Sequence, residues 1–160
     1  MDLRRLRAGE WVAALSGALL LVSLFLPWYG AGAEDASGWE AFAVVDVALA
    51  LVAAFGVSLL VVTASQRVPA VPIALSAIVT IVGMIGVVLA LVRLADLPGG
   101  FDGRELGVWL GLLAAIGIVA GSALAMRDER LSPAGGHTDL TGRPTPAPPE
   151  IERMPAPRPE

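Results

Sequence analysis

The sequence predicts an all-α membrane protein, an antiparallel bundle of four transmembrane helices with a disordered, proline-rich C-terminal tail. Three observations carry that prediction. Four apolar blocks recur along the chain, at about 11–28, 41–65, 71–94 and 106–126, with short polar breaks between them. Each is long enough to cross a hydrocarbon core of about 30 Å as a helix, at 1.5 Å per residue. The chain is 56% hydrophobic and 16% charged, with a mean hydropathy of +0.72, more apolar side chain than a soluble domain of this size has room to cover. The remaining mass lies almost entirely after Arg127, where eight prolines fall among few apolar residues and no core can form.

The N-terminal segment, residues 1–10, carries Arg4, Arg5 and Arg7 ahead of the first block. That block opens at Trp11 and is stopped by Pro27, which has no amide to donate and disfavours helix at Leu26. Ala31-Gly32-Ala33 has the small-x-small form of a signal-peptide cleavage site. The apolar stretch before it is longer than an ordinary signal core, and Trp28 and Tyr29 crowd it, so a retained anchor is expected. The first break holds Glu34, Asp35 and Glu40 and no base. The second block ends in a short turn with Arg67 and Pro69, and Pro72 is tolerable in the first turn of the third helix. Pro98-Gly99-Gly100 ends that helix. The third break is acidic through Asp96, Asp102 and Glu105, against Arg104. The fourth block is followed by Arg127 and Arg130.

Arginine therefore concentrates on one side of the four blocks. The positive-inside rule then places both termini in the cytoplasm and the two acidic breaks outside. Five aromatic residues are read as interface anchors: Trp28, Tyr29, Trp39 and Trp109 at the outer boundary and Trp11 at the inner one. The fourth block carries Gly107, Gly111, Gly117 and Gly121, two small-xxx-small steps that let helix backbones approach closely. Packing within one chain explains them more economically than dimerisation.

Asp46 and Arg93 are the candidate intramembrane ion pair. Asp46 is expected about 6 Å inside the outer boundary, at 1.5 Å per residue from Phe42. Arg93 lies at a matching depth before Leu97-Pro98. A carboxylate at that depth calls for a partner, and a proton or cation would serve as well as an arginine.

Composition closes several functional classes. There is no cysteine, so disulfides, thiolate catalysis and cysteine-held metals are excluded. His137 is the sole histidine and sits in the tail, so no histidine-based metal site or serine–histidine pair is expected in the bundle. No glycine-rich phosphate loop occurs. No catalytic residue, cofactor or nucleic-acid partner is expected. The expected partners are the lipid bilayer and either another membrane protein or a second copy of the chain. Pro146-x-x-Pro149 could dock in an aromatic groove, but a solvated tail is the simpler expectation.

Arg7-Ala8-Gly9-Glu10-Trp11, Leu26-Pro27-Trp28-Tyr29, Gly38-Trp39-Glu40-Ala41-Phe42 and Val45-Asp46 together resemble a group of uncharacterised four-helix integral membrane proteins of actinobacteria and similar GC-rich bacteria. The absence of Lys and Asn fits a GC-rich genome. The resemblance implies topology, lineage and a bacterial inner membrane, and no activity. The expectation is a non-catalytic scaffold or accessory subunit with acidic outer loops. The alternative is a subunit of a proton- or cation-coupled transporter using Asp46.

Overall fold

A computed structural model describes residues 6–32, 34–41, 44–65 and 70–131. The expected disorder of the tail falls on residues that, beyond Leu131, lie outside those described. Four long helices form the body: α1 (Ala8–Ser23), α3 (Val45–Ser65), α4 (Ala70–Ala95) and α5 (Leu106–Leu131). A short helix α2 (Gly38–Ala41) and three strands, β1 (Pro27–Ala31), β2 (Glu34–Ser37) and β3 (Gly103–Arg104), lie between them. Helices α3, α4 and α5 are long and apolar enough to cross a membrane, whereas α1, with 16 residues, is shorter.

The helices close a ring in the order α1, α3, α4, α5, with α1 and α5 in the most extensive contact. All four junctions are antiparallel. Gly9 of α1 lies against Ala125 and Gly121 of α5, and Gly111 near the start of α5 lies against Ser23 near the end of α1. Gly17 meets Ala53 and Gly56 of α3, Gly86 of α4 meets Val52, and Thr80 of α4 meets Ser122 of α5.

The packing is inverted relative to a water-soluble bundle. Small side chains such as Ala13, Ala53, Ala90, Ala114, Ala115 and Ala125 fill much of the interior. Large ones, including Leu15, Phe25, Leu51, Ile81, Val88 and Leu113, face outward. Lipid tails are as apolar as leucine, so such helices gain little by hiding leucine and gain more from close backbone approach.

The first block departs from the expected 11–28 helix. α1 starts at Ala8, where the Glu10 carboxylate accepts the Arg7 N–H at 2.9 Å and so satisfies a free amide of the first turn. It ends at Ser23 in tightened turns, with Phe25 N–H donating to Val22 O and Leu26 N–H to Ser23 O. Pro27 then opens a strand.

The expected all-α description is corrected here. The first and third polar breaks form one three-stranded antiparallel sheet in the order β2-β1-β3. Gly32, at φ +64, sits in the β1–β2 turn, where a left-handed backbone favours glycine. Ala41, the expected start of the second block, ends the short helix α2, and the long helix of that block starts at Val45. α5 runs on to Leu131, past the expected end at Met126.

Candidate functional site

The sheet caps one end of the bundle, and a bulge explains how. Pro27 pairs with Ser37 and Tyr29 with Ala36, leaving Trp28 as the extra residue. Successive side chains of a regular strand point to opposite faces, and a bulge re-aims one of them. Trp28 and Tyr29 are consecutive, and both are fully buried.

Trp28 rests on the glycine face of α5. A Cβ at Gly107 or Gly111 would strike its indole ring. Its Nε1 donates to Ser23 O at 2.7 Å, occupying a carbonyl at the open end of α1. The Tyr29 hydroxyl donates to Arg93 O at 2.6 Å, tying β1 to the end of α4. Its ring lies 5.6 Å from that of Phe101. Burial raises the Tyr29 hydroxyl above its ordinary pKa of 10.0, partly offset by the positive charges of Arg93 and Arg104, while Asp96 pushes it further up. Arg104 donates from Nε to Leu94 O and from its guanidinium to Ala95 O, closing the last turn of α4.

The aromatics divided between two fates. Trp11 and Trp109 are exposed, 43% and 52%. Trp28 and Tyr29 are interior, a correction to their reading as interface anchors. Trp39 is half-buried, its ring 5.7 Å from Phe25.

Asp46 is buried in the first turn of α3, where its carboxylate accepts the Val47 N–H at 2.7 Å and faces the positive end of that helix. The Val52–Gly86 contact puts Asp46 level with the last turns of α4, where Arg93 lies. Both candidate residues therefore belong to the capped end.

The four α5 glycines line one seam. Gly107 and Gly111 meet Trp28, Gly117 meets the Ser16 side chain, and Gly121 meets the backbone of Ala13 and Gly9. Toward the opposite end, four interior polar residues come one from each long helix: Glu10, Thr63, Ser76 and Ser122, each at least nine-tenths buried. Ser122 donates to Ile118 O, Ser76 to Ile73 O, and Thr80 couples Ser76 O to the Ser122 hydroxyl. The Thr63 hydroxyl has no hydrogen-bond partner among the described residues.

The sequence reading overlooked this layer. Its signal is spacing: Glu10, Ala13, Gly17, Leu20 and Leu24 form one stripe of α1, all buried, so a charged residue lies in line with the packing glycine.

At the capped end the Ser37 hydroxyl and backbone N–H both donate to the Glu40 carboxylate, at 2.8 and 2.9 Å. No group of three or more His, Cys, Asp or Glu side chains suited to a metal occurs among the described residues. No family model, curated protein or solved structure matches the chain.

Proposed function

We propose that the protein is a four-span integral membrane protein of the bacterial inner membrane, with both termini cytoplasmic, acting as a non-catalytic scaffold or accessory subunit. The sheet cap carries this reading. Trp28 fastens the outer turns to α1, Tyr29 and Arg104 fasten them to α4, and the Trp28 ring rests on α5. The result is a braced polar platform on which Glu34, Asp35, Asp102 and Glu105 are exposed. A braced acidic platform is suited to presenting a surface to another membrane protein or to a second copy of the chain. The short α1 is extended toward the outer side by Leu24 to Leu26, which lets it serve as a fourth span beside the three long ones.

Reporter fusions test the topology. Fusions after Arg67 and at the C-terminus are expected to read cytoplasmic, and fusions at Asp35 and Asp102 external. A cytoplasmic reading at Asp35 overturns the four-span arrangement. Recovery of a stoichiometric partner on mild-detergent purification, lost when the exposed acids of the platform are neutralised, tests the scaffold role.

The burial of Asp46 favours a second reading, a subunit of a proton- or cation-coupled transporter. Asp46→Ala separates the two. Loss of flux at normal abundance favours transport, and loss of the protein itself favours a structural role.

A further inference from the structure

We propose that the end of the bundle opposite the sheet binds a single monovalent, oxygen-coordinated cation, Na+, between the Glu10 carboxylate and the Thr63 hydroxyl.

The placement follows from register. Gly17 and Gly56 are in direct contact where α1 crosses α3. Glu10 lies seven residues before Gly17, and Thr63 seven residues after Gly56. In antiparallel helices both steps run toward the same end, two turns or about 10.5 Å away, and a seven-residue step keeps each residue on its inward stripe. Glu10 and Thr63 therefore face each other at one level, 2% and 8% exposed.

Neither side chain is fully used. The carboxylate accepts one amide, that of Arg7, and has further lone pairs. The Thr63 hydroxyl is buried with no partner among the described residues, an arrangement that costs free energy unless something occupies the space beside it. Thr63 also lies in the last turn of α3, where helix carbonyls are open and the dipole favours positive charge. On the α4 and α5 sides the layer is completed by the hydroxyl oxygens of Ser76 and Ser122.

The chemistry selects the ligand class. All donors are hard oxygens, which suits an alkali cation rather than a soft metal. A single carboxylate balances a single charge, and the absence of a three-acid group among the described residues argues against a divalent ion. Leu59, Ala13, Val79 and Ile118 belong to the buried core on the side toward the middle of the bundle. Among the described residues, Arg7 at the start of α1 and Arg127 on α5, both exposed, also lie at that end, and the last turn of α5 carries Asp128, Glu129 and Arg130. The described parts of α3 and α4 contribute no charge there. This inference is independent of the scaffold reading and concerns the opposite end from Asp46.

The test uses the full chain in nanodiscs. Melting temperature is followed as NaCl replaces choline chloride at constant ionic strength. A saturable rise is expected that disappears in Glu10→Gln and needs about tenfold more NaCl in Thr63→Val, the usual effect of losing one buried ligand. If Glu10→Gln does not fold, Thr63→Val with rescue by Thr63→Ser decides, since only the hydroxyl is common to wild type and rescue. Absence of a sodium-specific rise in the wild type overturns the proposal. So does a Thr63→Val protein that responds to NaCl as wild type does.

Discussion

The two ends of this bundle are closed in opposite ways. At the capped end, bulk closes it: an indole and a phenol are driven inward by a strand bulge and pinned by hydrogen bonds to helix-terminal carbonyls. At the other end, absence of bulk closes it: Gly9, Ala13, Gly121 and Ala125 let α1 and α5 touch backbone to backbone. The comparison teaches where substitution is costly. A buried aromatic can shrink and leave a cavity, whereas a glycine seam cannot accept a single added carbon without moving a helix.

The largest effect is therefore expected at the seam. A Cβ at Gly121 would overlap the Ala13 amide nitrogen, an atom that cannot rotate away. The cost of Gly121→Val should exceed the roughly 1–3 kcal/mol typical of overpacking, enough to lose the folded bundle, and the monodisperse peak on detergent size exclusion should collapse. Gly117→Ala should be milder, because the obstruction is the Ser16 side chain. Gly99→Ala, with no atom within 4 Å, should change stability by less than about 0.5 kcal/mol. Equal effects at Gly121 and Gly99 would show that the seam does not hold the bundle together.

The aromatic end comes next. Trp28→Ala removes a fully buried indole and its bond to Ser23, with an expected loss of about 3–5 kcal/mol in detergent unfolding. Trp109→Ala, half exposed, should cost below about 1 kcal/mol in the same assay. A reversal of that order would return Trp28 to the boundary position that its sequence context suggests.

That context also shows what the sequence can and cannot say. The α4 segment was legible almost to the residue, 71–94 against Ala70–Ala95, because a long apolar run between prolines has one reasonable conformation at that hydropathy. The sheet was not legible. Gly30, Ala31, Glu34, Asp35 and Ala36 have poor strand propensity, and the third strand pairs Tyr29 and Gly30 with Arg104 and Gly103, far along the chain. Trp28 and Trp109 are chemically alike, and only the bulge and the glycine face of α5 send one inward. Asp46 drew notice as an acid inside an apolar block. Glu10, just outside the block as drawn, did not, although α1 begins two residues before it and buries it more completely.

The smallest effect expected is a titration, and it tests whether the cap is as closed as its burial implies. Tyr29 is the single tyrosine of the chain, so phenolate absorbance reports it alone. Burial favours the neutral phenol and holds its pKa above 10.0 in the folded protein, while Arg93 and Arg104 pull it back. The folded state thus keeps its proton where the unfolded chain has lost it. The stability linked to this group is fully present below about pH 10 and is lost as pH rises through the folded value. The folded protein should show phenolate forming later than the denatured chain, and Tyr29→Phe should flatten the alkaline fall in stability. Arg104→Ala should delay the phenolate further, since it removes one of the two opposing positive charges and also loosens the end of α4 only locally. Phenolate appearing at or below pH 10 in the folded protein would mean that water reaches Tyr29, and that the capped end is the more open of the two.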